Sequence, residues 1–252
     1  MTTTYPPLEM RSAIANPIVT GTLYTAATLT DLGSPARIDG GVRIEQTNGG
    51  DGYGTWPLGC PTPADAGEKR GGRADALEFP AFAVWAVDEC SLVGVSEQES
   101  HDLAVQRLRL SEERVVSGEF AGTLLDHADN RGEAPEGLVG AVGALEWALG
   151  ATGVRGVVHA HRRLIATAQH RGLIVRGSAG RLETPGGHAW AFGTGYDDLE
   201  DTLVGTGPVT IYRTPPVVTP AVNTGQNERM TLAEREVLPT FELSAIAYQI
   251  GA

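Results

Sequence analysis

The chain has 252 residues, 41% of them hydrophobic and 20% charged, a balance that excludes wholesale disorder and leaves room for one large or two moderate domains. A net charge of −12 opposes a phosphate backbone and argues against nucleic-acid binding as the main task. No apolar run approaches membrane-spanning length, and Met1–Pro7 lacks the basic and apolar blocks of a signal peptide, so the sequence reads as a protein made inside a cell.

The first 35 residues carry mixed signals, a short helical turn around Leu8–Ala15 and an extended stretch at Thr20–Leu29, and read as an arm that lies against something else. From Pro35 to Asp75 there is little that forms a core. Arg37–Glu45 ends in strand-like alternation, Asn48–Gly54 is dense in turn formers, and Ala66–Arg73 is polar and glycine-rich. Forty such residues are a long excursion for a compact domain, and Tyr53 and Trp56 favour ordering against neighbouring copies.

Phe79–Val87 then reads as a buried strand. Ser96 and Glu99 form a capping box, each side chain satisfying a backbone N–H that a helix start leaves free. The helix that follows runs to about Leu125, with Leu103, Leu108, Val115, Val116 and Phe120 as its apolar stripe and Arg109–Glu113 as an i,i+4 pair, a rod of about 35–45 Å. Asp126–Gly137 reads as a polar linker. Leu138, Val142, Leu145 and Leu149 share one face of a second helix, ended by Gly150 and Gly153. Val154–His159 predicts a strand, Ala160–Arg171 a helix stopped by Gly172, and Leu173–Val175, His188–Phe192 and Val209–Arg213 further strands. Met230–Ile250 predicts two more strands around Pro239. The fold class is α+β.

Few residues suggest chemistry. His159 and His161, with His188 as a third, are a metal-ligand candidate, against which stand the missing HExxH pattern and the absence of nearby carboxylates or a cysteine cluster; packing or capping is the favoured role. Glu112–Glu113 and Asp197–Asp198 read as solvated neighbours, and Gly186–Gly187 and Gly193–Gly195 as turns. Cys60 and Cys90 read as free thiols. No catalytic, cofactor-binding or metal residue is assigned, and no enzyme activity or cofactor is expected. Between Trp147 and Leu182 there is no acidic residue but six arginines, 155, 162, 163, 171, 176 and 181, followed by Asp197, Asp198, Glu200 and Asp201. This arrangement suits self-complementary contacts between copies, or a solvated surface of mixed charge.

The order of elements, together with Phe79–Cys90 before the long helix, Gly156–Ala160, Thr206–Val209, Asn227 and Ala233–Arg235, resembles the major capsid proteins of tailed bacteriophages, the Hong Kong 97-type fold. The resemblance implies an N-terminal arm at 1–34, an extended loop at 35–78, a peripheral domain with a spine helix at 79–135, an axial domain at 136–207 and returning peripheral strands at 208–252. Leu232–Leu238 and Phe241–Tyr248 would close the peripheral sheet. It implies self-assembly through hexamers and pentamers into an icosahedral head that encloses DNA held only non-specifically, with scaffolding, portal and decoration proteins as further partners and no membrane. The place would be the virion, assembled in the host cytoplasm. Some members cross-link a loop lysine to an asparagine, and Lys69, the one lysine of the chain, lies in the matching element. Encapsulin shells share the fold, and another virion structural protein or a metal-dependent enzyme using His159 and His161 are the rival readings.

Overall fold

A computed structural model describes residues 12–33, 38–56, 58, 68–243 and 245–251. In chain order it holds α1 (Leu23–Ala26), β1 (Thr28–Asp31), β2 (Val42–Ile44), β3 (Leu77–Phe79), β4 (Phe82–Ser91), the 31-residue α2 (Glu97–His127), β5 (Ala128–Ala134) and α3 (Gly137–Ala151). There follow β6 (Val157–His159), α4 (Ile165–His170), β7 (Val175–Arg176), β8 (Leu182–Glu183), β9 (Ala189–Ala191), β10 (Thr202–Thr206), β11 (Val209–Arg213), β12 (Val217–Asn223), β13 (Glu228–Phe241) and β14 (Ala245–Ile250).

The strands form a five-stranded sheet, β1-β11-β13-β12 with β4 on the other side of β13, and a seven-stranded sheet, β5-β14-β10-β6-β9-β8-β7. β2 and β3 pair as a separate antiparallel ribbon at the base of the long loop. The seven-stranded sheet divides two cores. Val157, Ala189, Ala191, Val204, Ala245 and Ala247 face the core that contains α2. Their strand neighbours Val158, Trp190, Phe192, Leu203 and Ile246 face the core built on α3. Period-two alternation thus serves two hydrophobic layers, and the small alanines lie on the α2 side.

The helix α2 joins both sheets. Ser96 caps it by accepting the Glu99 N–H at 3.2 Å. Seven of its buried positions form a line that steps by four, Ser100, Ala104, Leu108, Glu112, Val116, Phe120 and Leu124, and Ser117 and Ala121 widen the buried face in the second half. Each step of four overshoots a turn by about 40°, so this stripe winds about 240° around the rod from end to end. The first half therefore meets β4 and β13, and the second half meets the seven-stranded sheet. Leu103 and Val115, expected in the stripe, are exposed because a fixed face is not what this helix buries.

Other expectations also need correction. Within Leu8–Ala15 the described residues Ser12–Ala15 are not helical, while residues 8–11 lie outside the described residues, as does Cys60. Thr20–Leu29 is not extended throughout: the turn α1 forms because Leu23 is buried and its N–H is held by Glu113 at 3.1 Å. The supposed linker at Asp126–Gly137 contains β5, which pairs in parallel with β14. An edge strand with solvent on its flank has polar side chains, which is why it reads as a linker. Ala160–Arg171 opens with a 3-10 turn, Arg162–Leu164, before α4, and Leu173 and Ile174 are buried outside the ladder that begins at Val175. Gly172 does stop α4, at φ 72°.

Pro239 does not separate two strands. β13 runs through it, paired with Ile211. The N–H groups of Glu242 and Thr214 bond Pro208 and Glu236 across the β11 side, so even-numbered residues of β13 point to β11 and Pro239 points away. On that other side β4 has already ended, at the Phe82–Val237 pair, and no ladder bond is lost. The break falls instead after Phe241, where Leu243 adopts φ 65°. It carries β14 out of the five-stranded sheet, where the resemblance placed it, into the seven-stranded one.

Candidate functional site

The three histidines do not converge. His159 is fully buried. Its Nε2 donates to Thr206 Oγ1 at 2.9 Å, since that hydroxyl spends its own proton on the Gly207 carbonyl at 3.0 Å; its Nδ1 accepts the Tyr196 hydroxyl at 2.7 Å. Burial pushes its pKa down to about 3, so the ring is neutral and both nitrogens are occupied. His161 caps the 3-10 turn, its Nδ1 accepting from Arg163 N–H at 3.0 Å. His188 accepts from Gly156 N–H at 3.0 Å. Among the described residues no three His, Cys, Asp or Glu side chains gather as a metal requires. His159 thus serves the core and His161 a turn, each ring being spent on a different element.

The Glu112–Glu113 pair is also not a solvated surface. Glu112 is 8% exposed and accepts from Tyr24 Oη at 2.8 Å and Arg235 Nη1 at 3.2 Å, with Arg213 Nη1 at 3.6 Å. Arg213 in turn donates to Asp31 at 2.7 Å. Glu113 accepts from the N–H groups of Leu23 and Thr194 and from the Thr194 hydroxyl. Burial raises its pKa, against the opposing pull of these hydrogen bonds. Two adjacent carboxylates thereby hold the root of the N-terminal arm on α2. Nothing in the local sequence marks them, because the partners come from positions 23, 24, 194, 213 and 235. Gly195 explains the loop between β9 and β10: a Cβ there would lie 1.9 Å from the Arg114 carbonyl.

The arginine-rich stretch is partly used within the chain. Arg155 pairs with Glu183 at 2.8 Å, Arg163 with Asp201 at 2.5 Å, and Arg162 donates to the Phe192 carbonyl at 2.9 Å. Asp197 has Arg114 at 3.9 Å and His161 at 3.6 Å. The Asp197–Asp201 loop and the arginines therefore meet first inside one copy.

The surface is rich in exposed apolar groups. Trp147 is 78% exposed on α3, Tyr53 83% exposed in the long loop and Trp85 61% exposed on β4. Ile14, Ile18 and Val19 are exposed along the arm, which is held to α2 by Gln106 donating to the Ala15 carbonyl and Arg109 to Asn16. Lys69 sits over the Trp56 ring at 4.6 Å, closing the loop on itself.

No family model and no curated protein sequence matches the chain. Solved structures do. It is similar to the capsid of a native GTA particle at TM-score 0.61 and 12% identity, covering 98% of this chain and 96% of that one. It is similar to the SrpI encapsulin complex of Synechococcus elongatus PCC 7942 at TM-score 0.57 and 12% identity, covering 96% and 92%. The virus-like particle of Pyrococcus furiosus aligns at TM-score 0.55 and 9% identity, over 90% and 92%. The match runs over nearly the whole chain, and the chain has the Hong Kong 97-type capsid fold.

Proposed function

We propose that the chain is the major capsid subunit of a tailed-phage head, assembling through hexamers and pentamers into an icosahedral shell around the DNA genome. The observation that carries this reading is the alignment with shell subunits over 98% of the chain, at 96% coverage of the GTA capsid subunit. An arm and a loop with exposed Ile14, Ile18, Tyr53 and Trp56 are costly on a lone subunit and gain burial when copies meet. The division into arm 1–34, loop 35–78, peripheral parts 79–135 and 208–252 and axial part 136–207 belongs to this proposal, with β14 crossing between the two parts. So do scaffolding, portal and decoration proteins as partners, and assembly in the host cytoplasm. The role is structural, with no catalysis.

Negative-stain imaging and sedimentation of the purified full chain test the reading. Closed shells or capsomers are expected, and a chain that stays monomeric across concentration, salt and crowding conditions refutes it. The encapsulin similarity supports a second reading, a protein-filled compartment. Nuclease-protected DNA inside native particles favours the head, and protein cargo without DNA favours the compartment.

A further inference from the structure

The root of the long loop is clasped to the joint between the two sheets by a pair of amide side chains. Gln46 accepts the Leu243 N–H at 2.7 Å and donates to the Asp75 carbonyl. It thus ties both legs of the loop to the residue whose φ of 65° turns the chain out of β13. Asn48, two residues on, donates from Nδ2 to the Glu242 carboxylate. The acceptor side of this clasp is fixed: the Glu242 N–H donates to the Pro208 carbonyl and its carbonyl accepts the Gly207 N–H, both at 3.1 Å. The donor side belongs to no ladder. β2 ends at Ile44, and residues 47–48 form an exposed turn. It is closed by the Gly49 N–H on the Gln46 carbonyl at 3.3 Å, beyond the usual range of about 2.7–3.2 Å.

Asn48 is followed by Gly49, whereas Asn16, Asn130, Asn223 and Asn227 precede Pro17, Arg131, Thr224 and Glu228. The difference is chemical. An asparagine side chain is open to attack at Cγ by the backbone nitrogen of the next residue. Proline has no N–H to give up, and a Cβ hinders the approach and restricts the φ and ψ that a glycine leaves free. Nor can the loop dispense with this glycine: a Cβ on Gly49 would lie 2.7 Å from the Ala74 Cβ of the other leg. The packing of the two legs therefore keeps the reactive pair, and keeps it in an exposed turn.

We propose that Asn48 is a site of spontaneous deamidation, and that its conversion unclasps the loop root from Glu242. The Gly49 nitrogen gives its proton to a base in solvent and bonds to Asn48 Cγ. The Cγ–Nδ2 bond breaks, and ammonia leaves, taking up a proton from water. Water then opens the cyclic imide at either carbonyl, giving aspartate or isoaspartate. In sum, the amide and one water become a carboxylate and an ammonium ion. The donor that held Glu242 is gone and a like charge stands in its place, against a partner whose backbone is fixed. The leg that carries Gln46 moves off, and the Leu243 N–H loses its acceptor. The inference goes beyond the shell reading and holds for a single subunit.

The test uses the full chain as dissociated subunit, held warm at mildly alkaline pH beside a synthetic peptide of residues 44–52. Both are followed by peptide mass spectrometry and by isoaspartyl methyltransferase labelling. Asn48 is lost while Asn130, Asn223 and Asn227 stay intact. A chain that keeps Asn48 after the peptide has converted overturns the site, because the clasp then protects the amide. Asn48→Asp tests the consequence: exchange of the Leu243 N–H speeds up by about tenfold over the fresh wild type, and the aged wild type reaches the same rate. Asn48→Gln keeps a donor amide, cannot close the same five-membered imide, and holds its Leu243 exchange through the incubation. Unchanged exchange in Asn48→Asp, or a Gln variant that loosens on ageing as the wild type does, overturns the release.

Discussion

Replacing Glu112 by Ala removes the acceptor at the centre of the arm's anchorage. Arg235 sits beside it with a side chain 12% exposed, and its Nε is buried without a partner among the described residues, so the carboxylate is the counter-charge that Arg235 depends on. Removing one member of a buried pair costs about 3–5 kcal/mol, because the other charge remains desolvated. The Tyr24 hydroxyl loses its acceptor as well, a further cost of about 1–3 kcal/mol when a group is left buried and unbonded. The two losses share one carboxylate and do not add in full, and Arg213 keeps Asp31, so we expect about 4 kcal/mol. For a chain of this size that lowers the melting temperature by about 8–16 °C. Denaturant titration of dissociated subunits measures it, with Glu112→Gln losing less and the double variant Glu112→Leu/Arg235→Met recovering most of the loss. A cost below about 1 kcal/mol for Glu112→Ala would mean a solvated carboxylate and refute the reasoning.

Three further outcomes follow from the geometry. The folded-state pKa of His159, about 3, lies below its unfolded value of 6.5, so its contribution is fully present above pH 6.5 and is lost as pH falls toward 3, by about 5 kcal/mol at the limit; His159→Gln flattens that part of the stability–pH curve. Gly195→Ala drives a Cβ into the Arg114 carbonyl and costs about 1–3 kcal/mol, read as an earlier unfolding midpoint; a neutral result means that the loop is free to move. Ending the chain before Arg229 removes β13 and β14 and so strips partners from both sheets; limited proteolysis finds no resistant core, and a stable 136–206 fragment contradicts the shared role of β14.

Local signals made the long elements legible. The Ser96 cap, the i,i+3,i+4 spacing of Leu138, Val142, Leu145 and Leu149 and the short strand at Val209–Arg213 each have their cause within a few residues, and each is where the sequence puts it. The order of arm, loop, strand and long helix sufficed for the fold. What could not be read depends on partners far away in the chain. β5 is polar because one flank is solvent, and only its pairing with β14, more than a hundred residues later, makes it a strand. Glu112 looks like any helix-surface acid until Tyr24, Arg213 and Arg235 arrive around it.

The stripe of α2 shows why the two kinds of information differ. A helix that serves one sheet repeats its apolar residues on a fixed face, and periodicity finds it. Here the rod leaves one sheet and reaches another, so its buried line drifts, and polar Ser100 and Glu112 occupy two of its seven positions. Those two are where the helix needs directional bonds: Ser100 fixes it to Asp88 and Thr231 in the first sheet, and Glu112 to Arg235 and to the arm. Hydrophobic burial alone would let a long rod slide along a flat sheet, since the contact is nearly the same at each turn. Buried polar pairs permit one register, because any other leaves a charge desolvated. A shell subunit must present its arm, loop and edges at fixed angles to many identical neighbours. If the chain is the shell subunit proposed, the polar interruptions that weaken the helical pattern in the sequence are what set its geometry for assembly.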